Sequence, residues 1–167
     1  MAPIRIRPES EIREATDSAF EAHRARILGV LSEAEVEHVG STSVPGALTK
    51  GDVDVLVRVD ARRFDHAVSR LRRLYGVHQP HNWTPTLASF ADRGGGDPPV
   101  GVQLVVAGST EDRMFGPFRD ALVRDPALLA DYNELKRRHG CDDHERYTSV
   151  KGEFVRQVLA RLGDRSA

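Results

Sequence analysis

Asp52 and Asp54 are separated by a single valine and open an apolar run, Val53 to Val59. In a strand, alternate side chains share a face. The two carboxylates then project together, while Val53 and Val55 point to the other side. Like charges held this close need something positive between them. A hard divalent cation such as Mg2+ takes oxygen ligands, commonly one or two carboxylates together with substrate phosphates. Asp52 and Asp54 are therefore the candidate catalytic residues and candidate Mg2+ ligands. Upstream, a shorter apolar run over residues 36–39 ends in Gly40-Ser41-Thr42-Ser43, and ten residues separate Ser41 from Asp52. Glycine lets backbone approach a ligand closely, and the hydroxyls of Ser41, Thr42 and Ser43 are suited to phosphate oxygens. A phosphate-gripping turn beside a metal-holding carboxylate pair is the minimum equipment for handling a nucleoside triphosphate.

The elements that must position these groups read as follows. Residues 8–32 carry a rough apolar stripe and acidic residues early, as a helix would. A strand over 36–39 leads into the turn, and Val53–Val59 reads as a buried strand. Asp60 is placed to cap a helix over 61–75, where Phe64, Ala67, Val68, Leu71 and Leu74 keep a helical rhythm. Strand-like runs follow at 77–81, 86–90 and 100–106, the last two flanking an RGGGDPP loop as a hairpin would. Two helices, 111–124 and 126–139, meet at Asp125-Pro126, with Met114, Phe115, Phe118 and Leu122 expected inward on the first. A last helix runs over 144–162. This order predicts an α+β domain, a two-layer α/β arrangement in which a mixed sheet is covered by helices.

Bulk properties narrow the partners. The chain has 167 residues, suited to one domain spanning 1–167. Its 24 basic and 25 acidic residues give a net charge of -1, which argues against general nucleic-acid binding. The basic runs Arg70, Arg72, Arg73 and Lys136, Arg137, Arg138 read as solvated helix faces. No apolar stretch approaches the ~20 residues of a membrane span, the N-terminus lacks a signal-peptide core, and Cys141 is the only cysteine. A cytoplasmic protein is the expectation. Cys141 with Asp142, Asp143 and His144 lacks the second ligand pair of a zinc site. His38 reads as a strand residue satisfied by its neighbours, and Trp83 as a packing residue.

At GSTSVPG followed by DVDVLV, the chain resembles the GrpB family of the nucleotidyltransferase superfamily, with its polymerase-beta-like fold. FRDALVRDPALLADYNELKRR (residues 118–138) and RYTSVKGEFV (residues 146–155) are similar to that family's later helices. The resemblance runs over residues 35–162. It implies a nucleotidyltransferase-like mixed sheet with C-terminal helices. It also implies a phosphate site made by residues 40–43 with Lys136, Tyr147 and Lys151, in which the lysines act as point charges.

One departure bears on activity. Active superfamily members carry a third carboxylate on a later strand, and the position that corresponds is Gln103 in VGVQLVV, a neutral residue and a poor Mg2+ ligand. Asp92 and Asp97 are the nearby alternatives. Three readings stay open. The first is metal-dependent transfer of a nucleotidyl group, adenylyl being the leading case, to a small-molecule or protein acceptor. The second is a catalytically reduced nucleotide- or phosphate-binding module. The third is a scaffold, which has no need for paired like charges on one strand face.

Overall fold

The computed structural model describes residues 5–140 and 142–164; Cys141 lies outside them, as do the first four residues. In chain order the elements are β1 (Arg7–Pro8), α1 (Arg13–Leu28), β2 (Glu35–Val39), β3 (Leu48–Thr49), β4 (Val53–Val59), α2 (Phe64–Leu74), β5 (Gly76–Val77), β6 (Leu87–Ala91), β7 (Val100–Val106), α3 (Asp112–Arg124), α4 (Pro126–His139) and α5 (His144–Asp164). Short 3-10 turns lie at Glu9–Glu11, Ser41–Ser43, Ala61–Arg63 and Pro80–Asn82.

Five strands form one mixed sheet in the order β2-β4-β7-β6-β5. β4 pairs antiparallel with β2 and parallel with β7, and β6 with β7 is an antiparallel hairpin. The parallel pair demands a long crossover, which α2, β5 and β6 supply. β4 is the pivot. Val53, Val55, Val57 and Val59 enter one core with Ile27 of α1, Ala67 and Leu71 of α2, and Phe90, Val102 and Leu104 of the neighbouring strands. The alternate residues Asp54, Leu56 and Arg58 face the other way. There Leu56 packs with Val39, Val105 and Phe115 of α3.

The helix starts have local causes. The Asp60 carboxylate accepts the Arg62 N–H at 2.8 Å and so caps the 3-10 turn Ala61–Arg63, from which α2 starts only at Phe64, and Asp125 accepts the N–H groups of Ala127 and Leu128 at 3.0 and 3.1 Å, with Pro126 at the first helical position. The sheet under α1 and α2 is the α+β body. α3, α4 and α5 form a bundle on the second face, pinned by Arg58, which pairs with Asp112 of α3 and with Glu35 and Glu37 of β2 at 3.2 and 3.1 Å.

Several local expectations need correction. The N-terminal helix begins only at Arg13, because residues 7–8 leave to pair antiparallel with Leu48–Thr49. That pairing joins residues forty apart, beyond the reach of local periodicity. The strand expected over 77–81 is cut to Gly76–Val77, since Gln79 takes a left-handed conformation (φ 42°) and Pro80 opens a 3-10 turn. Met114, expected inward, is 38% exposed. Lys136 is not on a solvated face: it is 1% exposed.

Candidate functional site

Val39 ends β2 beside Asp54, its register partner in β4. The chain then turns at Gly40, with φ 76° and ψ -176°, a conformation essentially reserved for glycine. A β-carbon built there would stand 2.1 Å from Asp54 Oδ2. The close approach that glycine allows is thus to the Asp54 carboxylate. Gly40 and Asp54 are one unit: the missing side chain of the first is the space of the second.

The three hydroxyls after Gly40 have different surroundings. Ser43 donates to the Gly40 carbonyl at 2.6 Å. Thr42 is buried and donates to the Asp52 carbonyl at 3.0 Å. Its oxygen lies 2.9 Å from His38 Nε2; with the Thr42 proton already given to Asp52, that nitrogen is the donor. Burial lowers the His38 pKa and keeps the ring neutral. His38, Thr42 and Asp52 therefore form a relay that fixes the backbone just before β4. Ser41 faces inward and accepts from Lys136 Nζ.

Lys136 reaches the turn from α4. It donates to Ser41 Oγ and to the Leu48 carbonyl, with its nitrogen 4.1 Å from the centre of the Tyr132 ring. Burial, helped by the nearby Lys151 and Lys50 and opposed by Asp54, lowers its pKa to about 6. Asn133, three residues earlier, holds the same segment by accepting the Leu48 N–H at 2.8 Å and donating to the Gly46 carbonyl at 2.9 Å.

Asp54 is pushed up to about 6 by burial, with Asp52 adding to the shift and Lys151, Lys50 and Lys136 opposing it. Asp52 is more open, its side chain 45% exposed, with Lys50 Nζ 3.5 Å away. Tyr147 of α5 is buried beneath Lys50 and Lys151, whose nitrogens lie 5.7 and 5.4 Å from its ring centre. Burial raises its pKa, and burial likewise raises Tyr132 to about 12. Two carboxylates and three lysines thus meet over two tyrosines. Asp52, Asp54, Gly40, Ser41, Lys136, Tyr147 and Lys151 come together. Lys50 and Tyr132 were not singled out by spacing. Lys50 stands two residues before Asp52, and that adjacency was the available signal; Tyr132 sits in an apolar stripe and its second role leaves no mark there.

Gln103 lies on the same face as Asp54 but pairs with Leu56, while Gly101 is the register partner of Asp54. A β-carbon on Gly101 would be 3.8 Å from Asp54 Oδ1. Gln103 instead accepts from the Ser89 hydroxyl at 2.6 Å. Asp92 is turned to the opposite face, 3.8 Å from Arg26 of α1, and Asp97 is exposed. Among the described residues, no group of three acidic, histidine or cysteine side chains is gathered to hold a metal. The donor set fits one hard cation held by Asp52 and Asp54, with its remaining positions left to phosphate and water.

The GrpB protein family model matches residues 9–161. A UPF0157 protein of Vibrio cholerae is 34% identical over 153 residues, covering 90% of this chain and 79% of its own. A UPF0157 protein of Deinococcus radiodurans is 33% identical over 153 residues, covering 87% and 76%. Among solved structures, GrpB from Enterococcus faecalis superposes with a TM-score of 0.67 at 20% identity, over 92% of this chain and 99% of that one. The Cid1 poly(U) polymerase superposes with a TM-score of 0.54 at 15% identity, over 74% of this chain and 41% of that one; this likeness is one of fold. No helix among the described residues is long and apolar enough to cross a membrane. The chain belongs to the GrpB family and has the nucleotidyltransferase-like fold.

Proposed function

We propose that the chain binds a Mg2+–nucleoside triphosphate and transfers its nucleotidyl group to an acceptor. The observation that carries this reading is the convergence of Asp52 and Asp54 with Lys50, Lys136 and Lys151 at the Gly40-Ser41 turn. With the buried Lys136 neutral, these five groups carry no net charge at neutral pH. With one Mg2+ that becomes +2, a match for a polyanion and a poor one for a neutral ligand. Bound Mg2+ would supply neutralisation of the charge that develops on the phosphates. The chain's residues do the rest. The Ser41 hydroxyl and the backbone N–H groups of the turn hold phosphate oxygens. Lys151 brings positive charge to the β- and γ-phosphates, while Lys136 holds the Ser41 hydroxyl from behind. Lys151 lies over the Tyr147 ring and, among the described residues, its ammonium makes no hydrogen bond or ion pair. Asp54, or water beside it, receives the acceptor proton. Thr42 and His38 hold Asp52 in place rather than touching ligand, and Tyr147 keeps Lys50 and Lys151 poised above its ring.

A second reading, binding without turnover, draws on Gly101 and Gln103: the position beside Asp54 on β7 has no side chain, and the next position on that face is neutral. Equilibrium dialysis with labelled ATP, GTP, CTP and UTP tests both. Mg2+-dependent retention of at least one nucleotide, lost in Asp52→Asn/Asp54→Asn, is expected. Retention unaffected by that double substitution would refute the site. Pyrophosphate release by a chain that binds selects transfer over the binding module.

A further inference from the structure

A cavity of about 210 Å3 lies between the sheet and the helical bundle, with Asp54, Ser41 and Lys151 in its lining. Met114, Phe115 and Phe118 of α3 and Val155 of α5 also line it, with Arg119, whose guanidinium is engaged by the His38 carbonyl, Glu37 and Asp120. The apolar wall is backed by aromatic packing. Phe118 meets Tyr132 edge-on at 5.3 Å between ring centres and Phe154 at 6.3 Å, while Tyr132 and Phe154 stack at 5.2 Å.

Size and chemistry restrict the occupant. An apolar cavity of about 150 Å3 takes a benzene ring, so this one takes a ring and a few further atoms. Pockets that enclose drug-sized ligands begin near 300 Å3, so a whole nucleoside triphosphate does not fit. A nucleobase would bring N–H and C=O groups against Phe115, Phe118 and Val155, and each buried group left unpaired costs about 1–3 kcal/mol. An ammonium would meet the positive charges of Lys151 and Arg119 in the same lining. A hydroxyl meets neither objection, and Asp54 is an acceptor for its hydrogen bond.

Building on the transfer reading above, we propose that this cavity seats the acceptor, a small alcohol whose body is a single aromatic ring. Its oxygen forms the new bond to the α-phosphorus, and the bond from that phosphorus to the bridging oxygen of the β-phosphate breaks. Pyrophosphate leaves with the electron pair, and the hydroxyl proton passes to water.

The test fills the cavity from two sides, with Met114→Trp at its exposed rim and Val155→Phe on α5, each checked for a cooperative melt. Benzyl alcohol, benzylamine and glycerol are titrated into each protein without nucleotide, followed by isotope-edited NMR shifts. The expected result is saturable binding of benzyl alcohol to the wild type, at least tenfold weaker in a folded filled variant, and no saturation with glycerol or benzylamine. Mg2+–ATP affinity should stay within about twofold in those variants. Equal benzyl alcohol binding in wild type and filled variants would overturn the proposal, as would equal binding of glycerol. Loss of Mg2+–ATP affinity on filling would overturn it too, by giving the cavity to the nucleotide. A wild type that binds benzyl alcohol and no nucleotide would refute the transfer reading and keep the cavity assignment. One that binds nucleotide and no ring alcohol would refute the cavity assignment alone.

Discussion

The two faces of β4 follow opposite rules. On one, Val53, Val55, Val57 and Val59 are sealed beneath α1 and α2 among apolar neighbours. On the other, Asp54, Leu56 and Arg58 alternate with them, and two of those three are ionisable. The first face converts buried area into stability. The second holds a carboxylate in a place where burial opposes its charge, beside a glycine conformation few residues can take. Strain of that kind collects at working sites and is tolerated because the rest of the fold holds it in place. The valine face gives the rigidity that lets the aspartate face be uncomfortable.

Substitutions on the two faces should therefore differ in sign as well as size. Phe90→Ala, in the valine-side core, should destabilise by about 3–5 kcal/mol in urea melts, with the unfolding slope unchanged. Gly40→Ala should cost about 1–3 kcal/mol from backbone strain and should also displace the Asp54 carboxylate, abolishing Mg2+–nucleotide retention in dialysis. A folded Gly40→Ala protein with full retention would break the link between Gly40 and Asp54. Asp54→Asn should move the other way and raise the melting midpoint near pH 8, by on the order of 1 kcal/mol, while losing ligand binding. The sign follows from its raised pKa: the penalty falls on the ionised form. The gain should therefore be present above about pH 6 and fade as pH falls toward 4.

A further pH-dependent effect concerns Lys136, which faces Lys151, Lys50, Asp54 and Tyr132. Its folded pKa, about 6, lies below the ordinary 10.5. Between those values the unfolded chain holds a proton that the folded chain has released, so this group makes stability rise with pH across that window. Its bonds to Ser41 and Leu48 survive the loss, since a neutral amine keeps two N–H donors. Lys136→Met should flatten the rise between pH 6 and 9 in thermal melts, and an unchanged slope would place the titration elsewhere.

How much of this was legible in the sequence depended on range. The projection of Asp54 away from the valines of β4, the turn at Gly40, the β6–β7 hairpin and the caps at Asp60 and Asp125 follow from alternation and turn chemistry within a few residues. The pairing of Arg7–Pro8 with Leu48–Thr49 does not, because nothing local marks it. Lys136 sits in a run with Arg137 and Arg138, which read as a solvated face; only the packing of α4 against the turn separates the one buried cation from its exposed neighbours. The same limit applies to Thr42, a hydroxyl expected to meet phosphate, which in the fold is spent on Asp52 and His38.

The most direct test of the central claim is the thermal midpoint of wild type and Asp54→Asn at pH 8, with and without Mg2+ and each nucleoside triphosphate. A ligand at about 100 times its dissociation constant adds about 2.7 kcal/mol, a shift of several degrees at this size. The account predicts that rise for the wild type with Mg2+ and at least one nucleotide, and none for Asp54→Asn, whose own midpoint starts higher. A rise of equal size in both proteins, or none in the wild type with any nucleotide, would contradict it.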